Sequence, residues 1–454
     1  MNNWNEKCAI VGVFNSKSSS TLCYYSLFAL QHRGQEASGI STSNGEKINT
    51  IKGEGLVTNV FNDLSSLDGK ISIGHNRYST SGEESRCDTQ PIFAKYELGE
   101  IALAHNGNLI NAKELRNSLI KDGAIFQSQL DTENLIHLIA RSNANTLKNR
   151  IIESIPKIIG AYAFVILSEN KLFAIRDPYG FRPLSLGIIE NENEKTYVLA
   201  SETCAFDLID ANYIRDVNAG EMLIFSFNEN DVILDSFQIS SSKSNKCIFE
   251  FVYFARPDSL VFNKCVYEIR KNMGVELAKE CKIKADIVVP VPDSGVVAAI
   301  GYSQESKIPF EFAIVRNHYI GRTFIEPSDR GLKVKLKLNP IKEIINSKEI
   351  IVIDDSIVRG TTSKQIISIL RKAGAKKIHL IIASPQTISP CYYGVDTPNK
   401  KDLISANKSI EEVREFIKAD SLYFLSLEGL YRSVGIDSNG EGYCKACFDE
   451  NYII

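Results

Sequence analysis

From Cys8 to about Phe227, short apolar or alternating runs are separated by Gly, Asn and Asp. CAIVGVF, ISIGHNR, IALAHNG, AYAFVIL, KLFAIRD, TYVLAS and EMLIF all have strand length and strand composition. Between them Asp131 opens DTENLIHLIARS, in which Leu135, Leu138 and Ile139 keep helical spacing. That places Asp131 as an N-cap residue ahead of an acidic first turn. Strands, then helices, then strands, without regular alternation, predict an α+β layered unit. Residues 228–246 carry few large side chains and end in a Ser/Lys/Asn cluster, the pattern of a linker.

After it the rhythm changes to strand–helix alternation. Val266, Ile269, Met273 and Leu277 share one helical face between Cys265 and Cys281. ADIVVPV, EIIVIDD and KKIHLIIAS read as buried strands, separated by a helix after Gly295 and by TTSKQIISILRKAG, which Gly374 ends as a C′ glycine. β-branched strands alternating with helices predict a parallel sheet covered on both faces.

Composition narrows the function. A chain of 454 residues makes two or three domains. The net charge of −3 argues against nucleic acid as the main partner, because phosphate-backbone binding needs a basic excess. The longest apolar run, Ile159 to Leu167, is too short to span a bilayer. The start MNNWNEK has no apolar h-region, so no secretory signal and a cytoplasmic site are expected. Ten cysteines in such a chain point to catalysis or metal rather than to a disulfide framework.

The strand Ile350–Ile353 runs into Asp354, Asp355, Ser356, Ile357, Val358, Arg359, Gly360, Thr361 and Thr362, and then a helix. Such a turn offers backbone N–H groups and a helix N-terminus to an anion, with two threonine hydroxyls as further donors. The adjacent carboxylates suit sugar hydroxyls or a hydrated Mg²⁺. A bland βα turn, with the two Asp capping the helix, is the competing reading of D-D-S alone. The full string IIVIDDSIVRGTTS resembles the signature of the type I phosphoribosyltransferases, which bind phosphoribosyl pyrophosphate (PRPP). The resemblance implies that Asp354 and Asp355 take the ribose hydroxyls and that the loop through Thr362 takes the 5-phosphate. It also makes PVPDSG (290–295) a pyrophosphate loop and RNHYIGRTFI (316–325) a closing lid, with Tyr319 and Arg322 reaching PRPP. Mg²⁺ would be bound through substrate oxygens and the Asp354/Asp355 region, with Ser294 contributing.

Cys8 alone, in KCAIVGVF, would be read as a core cysteine. Its company is LQHRGQEASGI (30–40), GHNRYST (74–80) and AHNGN (104–108), strings that resemble the class II glutamine amidotransferases. These are N-terminal nucleophile hydrolases of αββα sandwich fold, whose nucleophile supplies its own α-amine as general base. The resemblance implies that Met1–Lys7 is a propeptide and Cys8 the nucleophile. Arg77 would hold the glutamine α-carboxylate and Asp131 its α-ammonium. The Asn106 side chain and the Gly107 N–H would form the oxyanion hole. His75 and His105 are expected to be structural.

Both halves together resemble the amidophosphoribosyltransferase family over nearly the whole chain, with RDPYGFRPL, SETCAFD, FEFVYFARPDS and LKLNP as further shared strings. Ser26 and Ala219 stand where Gly and Pro are usual, and His318 where Arg is common. The resemblance implies an amidotransferase domain over residues 8–245 and a phosphoribosyltransferase domain with a C-terminal cluster-binding segment over 246–454. It implies glutamine, PRPP and water as reactants, 5-phosphoribosylamine, pyrophosphate and glutamate as products, and the first committed step of purine synthesis. A homotetramer inhibited by purine nucleotides is the family expectation. The competing readings are another class II amidotransferase, a PRPP-sensing regulator without catalysis, and a structural metalloprotein. The first leaves the diacidic loop without a purpose; the second predicts the loss of Cys8, Arg77 or the Asn106–Gly107 pair, all of which are present.

YCKACF places Cys444 and Cys447 as a C-x₂-C knuckle. Spacing alone puts zinc first and an iron–sulfur cluster second. One subgroup of the family carries a [4Fe–4S] cluster, and matching its sequence contexts makes Cys247 and Cys391 the other two ligands, in a structural rather than redox role. Cys23, Cys87, Cys204, Cys265 and Cys281 remain as core or surface residues.

Overall fold

The computed structural model describes residues 8–78, 88–191, 194–229, 231–317, 338–395, 397 and 399–454. Its amino-terminal half contains two antiparallel sheets. One runs, edge to edge, Asn212–Asp216, Ser185–Asn191, Glu194–Ala200, Ala9–Phe14, Ile71–Arg77, Ala37–Ser43 and Ile48–Glu54. The other runs Asp231–Gln238, Glu221–Asn228, Lys171–Arg176, Gly160–Ser168, Gly99–Leu109 and Ile92–Tyr96.

The period of two along Ala9–Phe14 decides the layering. Ile10 and Phe14 enter the core between the sheets, with Ala104, Val165 and Leu223. Ala9, Val11 and Val13 face the other way, onto Cys23 and Leu27 of the helix Ser19–Ala29. Beyond the second sheet, Leu103, Phe164 and Ile166 pack on Leu135, Leu138 and Ile139 of the helix Glu133–Arg141. Helix, sheet, sheet and helix form four layers, so the central strands bury both faces and read as unbroken apolar runs.

The linker expectation for residues 228–246 needs correction. Asp231–Gln238 pairs with Glu221–Asn228 along its whole length as the edge strand of the second sheet. Its apolar residues are sparse because only Val232, Leu234 and Phe237 need to pack inward. Val232 and Leu234 pack toward the other sheet and Phe237 toward the helix side, and the remaining side chains of this rim strand are largely exposed, which mimics a loop in composition.

In the carboxy-terminal half, Ile287–Pro290, Glu349–Asp354, Lys377–Ile382 and Ser421–Phe424 form a parallel sheet in that order. Alternate residues again divide between two cores. Val288, Ile351 and Ile381 meet Met273 and Leu277 of the helix Val266–Glu280, while Val289, Val352 and Leu380 meet Ile366 and Leu370 of the helix Thr361–Lys372. Gly374 takes a φ of +94° just past that last helix, the left-handed stop its position predicts. The core on the Met273 side also takes in Ala161 and Phe181 of the amino-terminal half, so the two halves share buried surface.

Candidate active site

Cys8 is fully buried at the start of Ala9–Phe14. In the adjoining strand Asn76 pairs with Ala9, which brings Arg77 to the same end of the sheet. Ser201 ties the other sheet in: its hydroxyl accepts the Ile10 N–H at 3.0 Å and lies 3.5 Å from Asn106 Nδ2. Gly107 has a φ of +151°, and a Cβ there would fall 2.0 Å from the Ala161 carbonyl oxygen. Only glycine fits there, at the peptide that the sequence reading expects to be an oxyanion donor. The side-chain oxygen of Asn106 and Nε of Arg77 are buried with no hydrogen-bond partner among the described residues.

Asp131 is not the helix cap. The helix begins at Glu133 after Thr132, and the Asp131 carboxylate turns back toward the strand, accepting the Leu109 N–H at 2.8 Å. Burial works against its charge, yet His105, 3.4 Å away, and this N–H bring it below the usual carboxylate range. Burial first, and then the charges of Arg77 and His105, lower His75 to about 3, so it is neutral at physiological pH. Its Nε2 contacts the His105 carbonyl oxygen, in keeping with a structural role.

The structure also assembles residues whose motifs were legible but whose contacts were not. Arg33 of LQHRGQ is buried, donates through Nε to the Cys8 carbonyl oxygen at 3.1 Å, and pairs with Glu202 at 2.5 Å and Glu250 at 2.9 Å. Burial raises Glu202, but His32 and Arg33 outweigh it and hold that carboxyl far below its ordinary value. Arg182 Nη2 also approaches Glu250 Oε1, within 2.6 Å.

At the second site Asp354 ends its strand, and Val291 donates to the Ile353 carbonyl oxygen, so residues 290–295 lie against that strand end. A Cβ on Gly295 would fall 2.2 Å from the same carbonyl oxygen. Asp354 and Asp355 are both buried, Ser294 Oγ lies 3.4 Å from Asp354 Oδ1, and the Ser356 hydroxyl donates to Asp355. Burial and the neighbouring Asp355 push Asp354 well above the ordinary carboxylate range. Two like charges held this way accept a cation or a set of hydroxyls readily. Ile357 anchors the loop in the core, and Arg359, Thr361 and Thr362 are exposed. Gly360, at φ +73°, turns the chain into the helix Thr361–Lys372, whose N-terminus faces the loop. The carboxyl ends of parallel strands are where ligands enter such sheets. Tyr319, Arg322 and His318, like Met1–Lys7 and Cys87, lie outside the described residues.

Cys247, Cys391, Cys444 and Cys447 come from three segments into one core. Cys247 pairs with Cys444 in a short parallel ladder. Burial, and then the other three, push the Cys447 thiol upward, and Cys444 is raised by burial, Cys247 and Cys391. The four thiols are buried, and each of these two is raised further by its neighbours among them. Among the described residues no three His, Cys, Asp or Glu side chains are grouped to hold a metal ion. A single tetrahedral zinc would need sulfurs roughly 3.8 Å apart. Cys23, Cys204 and Cys281 are buried and raised by that burial, Cys23 to about 12 and Cys281 to about 11. Cys265 is half-buried.

Fold and sites define a glutamine amidotransferase of the N-terminal nucleophile type joined to a phosphoribosyltransferase. Family models agree: a glutamine amidotransferase domain matches residues 75–207 and a phosphoribosyl transferase domain matches 264–411. Amidophosphoribosyltransferase 1 of Arabidopsis thaliana, a chloroplastic protein, is 48% identical over 98% of this chain and 78% of its own length. The Bacillus subtilis amidophosphoribosyltransferase is 45% identical over 99% of this chain and 94% of its own. A solved B. subtilis glutamine PRPP amidotransferase, complexed with ADP and GMP, superposes with a TM-score of 0.91 at 44% identity, covering 98% of this chain and 97% of that one. The chain belongs to the amidophosphoribosyltransferases, the enzymes of the first step of purine biosynthesis. No helix among the described residues is long and apolar enough to cross a membrane.

Proposed function

We propose that residues 8–245 hydrolyse glutamine and residues 246–454 use the released ammonia. With Met1–Lys7 removed, the Cys8 α-amine takes the thiol proton and the thiolate attacks the glutamine side-chain amide carbon. Ammonia leaves, a glutamyl thioester remains, and water releases glutamate. Asn106 Nδ2 and the Gly107 N–H stabilise the tetrahedral oxyanion, while Arg77 and Asp131 hold the α-carboxylate and α-ammonium. Ammonia crosses the interior and attacks C1 of PRPP with inversion, displacing pyrophosphate. Asp354 and Asp355 bind the ribose hydroxyls. Ser356, Ile357, Val358, Arg359, Gly360, Thr361 and Thr362 cradle the 5-phosphate, and Tyr319 and Arg322 close over the site, so water is excluded while ammonia and PRPP meet.

Mg²⁺ would be held through substrate oxygens with Asp354, Asp355 and Ser294, and would neutralise the leaving pyrophosphate. Cys247, Cys391, Cys444 and Cys447 would hold a [4Fe–4S] cluster that clamps their three segments together. The observation that carries the glutaminase assignment is the Ser201 hydroxyl, which ties Asn106 to the strand opened by Cys8. Purine nucleotides as feedback inhibitors, a homotetramer and a cytoplasmic location complete the reading; the ADP and GMP of the B. subtilis structure support the first of these.

One assay tests the reaction: glutamine, PRPP and Mg²⁺ together, with glutamate and pyrophosphate measured in parallel. Equal release of both is expected, and glutamate without pyrophosphate would overturn the coupling. Cys8→Ala is expected to lose glutamine-dependent turnover and keep ammonia-dependent turnover. For the cluster, anaerobically purified protein is expected to be brown, with iron and acid-labile sulfide; a colourless zinc-loaded protein reverses the metal assignment.

A further inference from the structure

Residues 392–394 of the carboxy-terminal half lie against the strand Gly99–Leu109 where it carries Asn106 and Gly107. The Tyr392 carbonyl oxygen accepts Asn108 Nδ2 at 2.8 Å. Gly394 comes so close to Gly107 that a Cβ there would sit 3.0 Å from the Gly107 Cα. Between these two contacts stands Tyr393. The amino-terminal half closes a circuit around the same peptide. Gly107 pairs with Tyr162 in the adjoining strand. The Tyr162 N–H donates to the Asp177 carboxylate at 3.3 Å, and the same oxygen accepts the Phe181 N–H at 3.1 Å. The Phe181 ring stacks on Tyr393 at 4.4 Å, with the planes 14° apart. From Gly107 the path runs through Tyr162, Asp177, Phe181 and Tyr393, and Gly394 returns it to Gly107.

Tyr393 is buried, and its hydroxyl is used to capacity. It donates to the Ile454 carbonyl oxygen at 2.9 Å and accepts the N–H groups of Ile453 and Ile454 at 2.9 and 3.0 Å. A phenol has one proton to give and two lone pairs to fill, so all three places are taken. Tyr452 fastens the same segment a few residues earlier. Its hydroxyl donates to the Pro390 carbonyl oxygen at 2.6 Å and meets the Ser389 hydroxyl. A buried polar group with every partner in place rigidifies what it belongs to. Packing alone would be served as well by phenylalanine, which isolates what the hydroxyl adds.

We propose that Tyr393 is a positioning residue of the glutamine site, supplied by the carboxy-terminal half: through Tyr392 and Gly394 it holds residues 106–108 where the oxyanion peptide must point. The proposal rests on the reading of Asn106 and Gly107 as the oxyanion donors. Gly107 has no side chain to anchor it, and its φ of +151° is one that other residues rarely adopt. The aim of its peptide therefore depends on what packs against it. A donor to a tetrahedral intermediate works only when it is placed before reaction, and a displacement of about 1 Å costs on the order of a hundredfold. The glutamine site is then complete only when the two halves are docked.

The test uses the whole chain, with glutamine hydrolysis and ammonia-dependent turnover of PRPP measured on the same samples. Tyr393→Phe keeps the ring on Phe181 and removes the hydroxyl. Its kcat for glutamine hydrolysis is expected to fall about tenfold at nearly constant KM, with ammonia-dependent turnover unchanged. Tyr452→Phe is expected to show the same pattern to a smaller degree. In an Asn108→Ala background, where the bond to Tyr392 is already gone, Tyr393→Phe is expected to cost less than in the unsubstituted protein. If Tyr393→Phe does not accumulate folded, Tyr452→Phe carries the comparison. An unchanged kcat, a raised KM alone, an equal loss in both assays, or full additivity with Asn108→Ala overturns the proposal. Asn106→Ala separates it from the reading beneath. If that variant hydrolyses glutamine normally, the oxyanion assignment fails and the proposal with it; if it is slowed while Tyr393→Phe is not, the proposal alone fails.

Discussion

Gly394 and Gly107 pack backbone against backbone across the two halves of the chain, so close that a Cβ at 394 would meet both the Cα and the carbonyl carbon of 107. Gly394 also has a φ of +91°, where an L side chain is strained. Gly394→Ala is expected to shift the Gly107 peptide and lower glutamine-dependent turnover by about tenfold or more, since an oxyanion donor contributes that much. Ammonia-dependent turnover should hardly change. Parallel assays with the two nitrogen donors check this, and an equal loss in both would refute it.

Ser201→Ala removes the hydroxyl shared by the Ile10 N–H and Asn106 Nδ2. Freed of that tether, Asn106 should lose its aim at the oxyanion while glutamine still binds through other groups. The expected pattern is a kcat for glutamine hydrolysis reduced about tenfold at nearly constant KM. Steady-state glutaminase kinetics would show it, and a raised KM with intact kcat would speak against the placement.

Asp354 is held above the normal carboxylate range by burial and by Asp355. A raised carboxyl contributes stability that is present at low pH and lost as the pH climbs through its folded pKa. The empty enzyme should therefore lose thermal stability across that range, and Asp354→Asn should raise its Tm at neutral pH by about 2 °C. PRPP binding with Mg²⁺ should be weakened in the same variant. Thermal melts with and without PRPP, across pH, separate the two effects.

Glu133 is depressed to about 2: burial opposes its charge, but His137, the Ser128 hydroxyl and the N–H groups of Gln127 and Ser128 outweigh it. Its stabilisation is present above the ordinary value of 4.5 and should be lost as the pH falls from there toward about 2. Because this carboxylate ties the loop before Asp131 to the helix, Glu133→Gln should flatten the acid limb of the stability curve. Denaturant melts between those limits measure the slope.

Glu250→Ala would leave Arg33 and Arg182 buried around an empty position. Breaking one partner out of a buried ion network costs roughly 3–5 kcal/mol, so the variant should unfold at clearly lower urea. Because hydrogen bonds to Cys8 run through Arg33, glutaminase activity should fall further than the stability loss alone explains.

Strings of local chemistry were readable without a structure. The layered α+β character follows from the pattern of apolar runs and the phosphate loop from IIVIDDSIVRGTTS, while the four-layer sandwich and the role of Gly107 came only from the resemblance to the class II glutamine amidotransferases. Residues whose role is set by distant partners were not readable. Asp231–Gln238 looked like a linker because a strand at the rim of a sheet half-buries only a few of its side chains, and Asp131 looked like a helix cap because its partner Leu109 lies on a distant strand.

The sequence by itself singled out the residues expected to carry chemistry: a cysteine placed to become a nucleophile, a diacidic phosphate loop, and four cysteines in family-like contexts. Only the tertiary structure decided which of these touch. Arg33, Glu250 and Arg182 sit in motifs more than 60 residues apart, yet form one buried ion chain that starts at the Cys8 carbonyl oxygen. Charges can be buried only when partnered, and the partner is chosen by how the sheets stack, which no local pattern of side chains encodes.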